Sequence, residues 1–184
     1  MTGDCICASL SDLAHIAMGD SLQRDEKFLA TVEEVRCAGD DRWWLYLGKC
    51  RVCAQDWLVA QEERIYDEHF LERLRPIAAA RILATGEWPD TFISYERVLR
   101  VGKSLATPCR FLNSMAASLL WTVDDLRKER PNISAAEIGG LLGVSEEHAA
   151  KLIAASGSQV DEAAGGDIQI VATVNGTSGK STQA

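Results

Sequence analysis

The sequence predicts an α+β protein, with a small antiparallel β-sheet in its first third and a helical half after it. Two observations predict the sheet: short runs of strand-forming residues, and the turn signal Gly39-Asp40-Asp41 between two of these runs. The helices are predicted because apolar residues recur at helical spacing after about residue 66. We therefore divide the chain into residues 1–65, residues 66–155 and a flexible tail, residues 156–184.

The order of the elements follows from local patterns. Strands are predicted at residues 28–37, 43–47 and 57–60. A first helix is predicted to begin at Asp67, with Phe70, Leu71 and Leu74 on its apolar face, and to end by Gly86. Further helices are predicted at residues 94–101, which Gly102 would cap, at residues 109–121 after Thr107-Pro108, and within residues 134–155.

The composition excludes several classes of protein. The chain has 184 residues, of which 47% are hydrophobic and 25% are charged, as is typical of globular proteins. Its net charge of −8 opposes non-specific attraction to nucleic acid and to anionic membranes. No apolar run approaches the roughly 20 residues that span a bilayer, and the N-terminus lacks the pattern of a signal peptide. We therefore expect a cytoplasmic protein that does not associate with membranes.

Two close pairs of cysteines predict a metal site. The pairs are Cys5 with Cys7 and Cys50 with Cys53. In a reducing compartment, clustered cysteines hold metals more often than they form disulfides. Four thiolates complete the tetrahedral shell that zinc prefers and leave no position open for water, so the predicted zinc would be structural. Two alternatives stay open: free thiols, and a reversible redox pair.

The setting of the second cysteine pair strengthens the prediction. The Cys50-Arg51-Val52-Cys53 turn lies between two predicted hairpin strands, so residues 1–65 resemble a zinc ribbon. That resemblance implies a structural zinc that stabilises a sheet too small to bury much apolar area by itself.

Residues 134–155 resemble the helix-turn-helix units of bacterial sigma factors and repressors. Ser134 and Glu137 form a capping-box pattern, and Gly143 falls where the turn needs a left-handed residue. The resemblance implies DNA contacts from the second helix and the segment before the unit, through the following residues: Ser145, His148, Lys151, Arg127 and Lys128. The charge opposes it, because Glu146 and Glu147 open the second helix and residues 110–155 carry a net charge of −1.

The leading prediction for function is non-catalytic binding of another protein. We predict a contact surface that contains Trp43, Trp44, Glu68 and Glu72. Adjacent residues on a strand face opposite ways, so one of the two tryptophans is expected to be exposed. The three histidines (His15, His69 and His148) lie on separate elements, with no spacing suited to catalysis.

The N-terminal half, through Trp57–Val59 and Arg64–Leu74, also resembles small bacterial cytoplasmic proteins, including immunity proteins of toxin systems. This resemblance implies an immunity or antitoxin-type inhibitor that presents an acidic surface to a basic partner. The alternative is a helix-turn-helix transcriptional regulator with a structural zinc.

Overall fold

A computed structural model describes residues 4–19, 21–104 and 117–163 of the chain. Its five strands form one antiparallel sheet in the order β1-β5-β4-β3-β2. The strands are Leu13–Ala17 (β1), Val32–Cys37 (β2), Leu45–Cys50 (β3), Asp56–Glu62 (β4) and Glu68–Leu74 (β5). The α-helices of the described residues are Arg24–Thr31 (α1), Pro76–Thr85 (α2), Tyr95–Ser104 (α3), Ser118–Glu129 (α4), Ala135–Leu142 (α5) and Glu146–Ala163 (α6). The predicted α+β class is confirmed.

The sheet separates a large core from a small one. In the large core, Leu45, Leu58 and Phe70 of the sheet pack with residues of α2 to α6, such as Ile82 and Leu142. The small core is built from nine buried residues: Cys7, Ala14, Ile16, Phe28, Val32, Cys50, Trp57, Val59 and Leu71. The small core therefore depends on the N-terminal segment, α1 and two of the cysteines.

The helix predicted from Asp67 to Leu74 is wrong, because these residues form the turn before β5 and β5 itself. β5 lies inside the sheet between β1 and β4. Phe70 belongs to the large core and Leu71 to the small one, so both faces of the strand are apolar. Such a strand has no polar alternation and can be mistaken for a helix. The helical half begins at Pro76.

The structure corrects other element boundaries as well. The strand predicted over residues 28–37 begins only at Val32, since residues 24–31 are α1, and β1 was not predicted. Gly102 does not cap α3 but lies inside it, where an added Cβ would come within 2.8 Å of the Tyr66 ring. α6 continues to Ala163, past residue 156, where the predicted tail begins. Most of the tail, residues 164–184, and most of the helix predicted at 109–121 lie outside the described residues.

Glu62 and Tyr66 join the sheet to the helices. The buried Glu62 carboxylate accepts hydrogen bonds from the backbone N–H groups of residues 64 to 66 and from the Tyr95 hydroxyl on α3. The Tyr66 hydroxyl donates to the Leu141 carbonyl on α5 at 2.8 Å. Burial raises the pKa of Glu62, although its four donors act in the opposite direction. Among the described residues, no helix is long and apolar enough to cross a membrane.

Candidate metal centre

The four predicted cysteines lie together. The Sγ atoms of Cys5, Cys7, Cys50 and Cys53 all lie within 4.8 Å of one another. Cys50 is the last residue of β3, and Cys53 belongs to the turn that leads into β4. Cys5 and Cys7 come from the segment before β1. The predicted meeting of the two distant pairs is confirmed.

The turn between β3 and β4 places Cys50 and Cys53 side by side. The Ala54 N–H donates to the Cys50 carbonyl, and the Cys50 N–H donates to the Gln55 carbonyl, both at 2.9 Å. Ala54 has a φ of 60°, in the left-handed region that non-glycine residues seldom adopt. The turn is further fixed by a 2.8 Å hydrogen bond from the Arg51 N–H to the Thr31 carbonyl at the end of α1.

Arg73 of β5 holds the other cysteine pair against the sheet. Its guanidinium donates to the carbonyl oxygens of Cys7 and Leu10, each at 2.8 Å, and to Gln55 Oε1 at 3.0 Å. The Arg73 Cζ atom also lies 4.6 Å from the centroid of the Trp57 ring. Sequence reasoning missed Arg73, since its main partners are backbone carbonyls more than 60 positions away, which no local pattern indicates.

The environments of the sulfurs differ. Cys7 and Cys50 are buried, whereas Cys53 is exposed. Burial raises the pKa of Cys7 to about 12, although the Trp57 indole N–H, 3.4 Å from the Cys7 Sγ atom, acts in the opposite direction. Burial also acts to raise the pKa of Cys50, but hydrogen bonds from the backbone of Cys53 and Val52 outweigh it and lower this pKa to about 7. Of these two buried thiols, Cys50 therefore ionises more readily than Cys7.

The donor set and its spacing fit a metal ion. A tetrahedral site with Zn–S bonds of about 2.3 Å has S–S edges of about 3.8 Å. The four sulfurs, all within 4.8 Å of one another, can reach that geometry by closing each pair by at most about 1 Å. The four cysteines could thus hold a metal ion with a soft-ligand preference, and a complete thiolate shell leaves no position for substrate.

The predicted exposed tryptophan is not found. Trp43 and Trp44 lie in the turn before β3, so the alternation expected for one strand does not apply. Trp44 is only 2% exposed, and its indole N–H donates to the Phe92 carbonyl at 3.0 Å. Trp43 is half-buried, with the Arg64 Cζ atom 4.3 Å from the centroid of its ring.

The two glutamates predicted to join this surface are not freely exposed either. Glu68 is 9% exposed and lies 3.2 Å from His15 Nδ1. Glu72 is half-buried and has one buried carboxylate oxygen without a hydrogen-bond partner. The tryptophans and these glutamates therefore do not present one open contact surface.

The pair α5 and α6 has the local features expected from its sequence. Ser134 and Glu137 form the capping box, and Gly143 has a φ of 70° in the turn. An added Cβ at Gly139 would lie 2.9 Å from the Val144 carbonyl oxygen, so this glycine permits the tight turn. Ser145 is exposed, and its hydroxyl accepts a hydrogen bond from the His148 N–H at 3.1 Å.

The lysines near this helix pair form ion pairs with carboxylates of the same chain. Lys151 lies 2.7 Å from Glu147, and Lys128 lies 2.6 Å from Asp124. Arg127, the remaining predicted contact, is half-buried on α4. Because the exposed lysines already have anionic neighbours, phosphate contacts from them would require these pairs to break.

No known family model, curated protein or solved structure matches this chain. The resemblance to immunity proteins therefore gains no support from known families, and the function must be inferred from the residues themselves.

Proposed function

We propose that this protein is a zinc-stabilised, non-catalytic binding protein whose partner is a basic protein, as for an inhibitor of the immunity or antitoxin type. The zinc would be bound by Cys5, Cys7, Cys50 and Cys53. An all-thiolate shell supports a structural role, because it leaves no position at which zinc could activate water.

The distribution of charge carries the proposal for the partner. The whole chain has a net charge of −8, and lysines near the helix pair are close to carboxylates of the same chain. By contrast, Asp40 and Asp41 are exposed, and neither lies in an ion pair with another described residue. A surplus of exposed negative charge attracts a basic partner over long distances and repels acidic ones.

A cleft beside these aspartates suits a cationic side chain. The cleft has a volume of about 380 Å³. It is lined by four carboxylates, one lysine and two indoles, namely Asp40, Asp41, Asp125, Glu129, Lys128, Trp43 and Trp44. Asp125 is already paired with Arg64 at 2.7 Å, and the Arg64 guanidinium lies over the Trp43 ring. Asp40 and Asp41 at the rim are therefore the carboxylates that a lysine or arginine of a partner would meet. Trp43 thus lines the cleft rather than protruding as an anchor.

The proposal is tested with labelled model ligands and the zinc-loaded full chain. Fluorescence anisotropy would compare a lysine- and arginine-rich peptide, an acidic peptide of equal length and duplex DNA over a series of salt concentrations. We expect only the basic peptide to bind, with affinity that falls as salt rises. The double variant Asp40→Asn/Asp41→Asn should bind it about fivefold more weakly, since rim charge pairs contribute about 0.2–1 kcal/mol each.

A matched control changes the net charge equally at two residues that do not line the cleft. Glu146→Gln/Glu147→Gln also removes two negative charges, and it should reduce the affinity by less than about twofold. Equal weakening in both double variants would show that only the net charge matters and would contradict binding at the cleft. Absence of any binding to the basic peptide would overturn the proposed partner class.

The second candidate function is DNA binding by α5 and α6, and the left-handed Gly143 between two short-linked helices favours it. The same titration distinguishes it. Salt-dependent binding to the duplex that is weakened by Lys151→Ala, with no binding to the basic peptide, would favour this candidate.

A further inference from the structure

We propose that the four-cysteine cluster is also an oxidation site, at which a peroxide joins Cys53 to a neighbouring cysteine and thereby releases the metal. This inference rests on the proposed zinc, but it concerns the reactivity of the sulfurs and not the choice of partner.

Access favours one sulfur. Cys53 is exposed at the turn between β3 and β4, Cys5 is half-buried, and Cys7 and Cys50 are buried. A small oxidant such as hydrogen peroxide therefore meets the Cys53 Sγ atom first. The hydrogen-bonded backbone of this turn holds Cys53 in place next to Cys50.

A resolving sulfur is already beside the attacked one. The three other Sγ atoms lie within 4.8 Å of the Cys53 Sγ atom. A sulfenic acid formed there would meet a second thiolate before it could be oxidised further, which is the arrangement of reversible thiol switches.

The chemistry balances with hydrogen peroxide as the oxidant. The Cys53 thiolate attacks one oxygen, so that an S–O bond forms, the O–O bond breaks and hydroxide leaves. A neighbouring thiolate then attacks the Cys53 sulfur, an S–S bond forms and a second hydroxide leaves. Two thiolates have given two electrons to one peroxide. The metal has lost two of its four ligands, and the remaining two do not hold zinc tightly.

The effect on the fold is confined to one side of the sheet. Cys7 and Cys50 belong to the small core with Trp57, whereas the large core contains no residue of the cluster. Loss of the metal should therefore loosen the segment before β1 and change the surroundings of the Trp57 indole, which now donates to Cys7 Sγ. The helices packed on the other face should remain folded.

Cys37 supplies an internal control. It is exposed like Cys53, but its thiol donates to Glu34 Oε1 at 2.8 Å, and it is not part of the sulfur cluster. The Glu34 carboxylate raises the pKa of Cys37, which disfavours the reactive thiolate. Exposure alone therefore does not make a cysteine of this chain an oxidation site.

The experiment treats the zinc-loaded full chain with hydrogen peroxide. It follows released zinc with a chromogenic chelator, disulfides by peptide mass spectrometry, and the surroundings of the five tryptophans, Trp57 among them, by fluorescence. We expect one zinc to leave per disulfide formed, the disulfide to include Cys53, and dithiothreitol with added zinc to restore the initial state. Cys37→Ser should react at the unaltered rate. Cys53→His, which retains a zinc ligand without a thiol, should release zinc at least about tenfold more slowly.

The outcomes separate the two proposals. If the reduced protein binds no zinc, the zinc assignment fails, while disulfide mapping of the metal-free chain still tests the oxidation site. If zinc is bound but peroxide neither releases it nor forms a disulfide with Cys53, the oxidation site is refuted. Equal rates of zinc release in the unaltered chain and in Cys53→His would also refute it.

Discussion

Arg73 shows how a single side chain can position the four-sulfur cluster without belonging to it. Its guanidinium bonds two carbonyls of the cysteine-bearing segment and also Gln55, which follows the β3–β4 turn. It therefore links the two halves of the four-sulfur cluster. Residues that orient ligands in this way commonly change metal affinity by 10- to 100-fold when altered.

We expect Arg73→Lys to reduce the affinity for zinc by about tenfold. A lysine keeps the charge, but its single ammonium cannot reproduce the fork of donors directed at four separate oxygens, which include Asp12 Oδ1 at 3.1 Å. Competition with a chromophoric chelator would measure the affinity, and Arg75→Lys, an exposed neighbour beyond the end of β5, is the matched control. If both variants retain the affinity of the unaltered chain, Arg73 has no positioning role.

At the scale of single residues, the sequence predicts the four cysteines but not the residues that hold them in place. Cys50 and Cys53 can be recognised because their spacing suits one turn, and Ser134 with Glu137 because capping follows a local rule. Arg73 and Glu62 cannot be recognised in this way. Each is an ordinary charged residue until the fold brings distant groups to it: the Cys7 carbonyl for Arg73, and the Tyr95 hydroxyl for Glu62.

Among the elements, α3 and α5 show two opposite uses of glycine inside a helix. Gly102 of α3 lies against Tyr66 and Phe70, and an added Cβ would be 2.8 Å and 3.1 Å from their nearest ring atoms. Gly140 of α5 has open space around the corresponding position. The first glycine is needed for close packing of the helix on the sheet, and the second is not.

We expect Gly102→Ala to lower the free energy of unfolding by about 1–2 kcal/mol, because crowding in a core destabilises by about 1–3 kcal/mol. The higher helix propensity of alanine offsets only part of this loss. The Tyr66 ring cannot move easily, since its hydroxyl is bonded to Leu141. Gly140→Ala should instead raise the free energy of unfolding by up to about 1 kcal/mol. Urea denaturation would measure both, and a stabilised Gly102→Ala protein would contradict the packing argument.

The elements also show why prediction succeeded for some segments and failed for others. Ser134 caps the beginning of α5, and Gly143 ends the helix in a left-handed conformation. Both features follow from local residue types, which the sequence displays directly. β5 has apolar residues on both faces because it lies between two strands and two cores, and that information is not local. The edge strand β1 is short, and its pairing partner is distant in the sequence.

For the whole molecule, the sheet has a thick cover on one face and a thin one on the other. The large core on the first face contains residues of five helices, whereas the second face depends on α1, the segment before β1 and the cysteine cluster. A small apolar core seldom holds a cover in place without a metal or another crosslink. The thin cover should therefore be the part whose stability depends on zinc.

Removal of zinc with a chelator should lower the thermal midpoint of the thin cover more than the thermal midpoint of the large core. The expected loss is about 4 kcal/mol relative to protein in free zinc at about 1,000 times the dissociation constant. Calorimetry with and without chelator would measure the change, and Cys37→Ser should respond as the unaltered chain does. A midpoint unaffected by chelation would contradict a structural metal.

The pairing of β1 with β5 also has a consequence for how the protein is made. Leu13 lies opposite Glu72, so β1 finds its partner only after about sixty more residues have been synthesised. Until then Cys5 and Cys7 belong to an unanchored nascent segment, and Arg73 has not yet emerged to hold them. The two cysteine pairs can therefore reach their final arrangement only after the chain has been translated beyond Leu74.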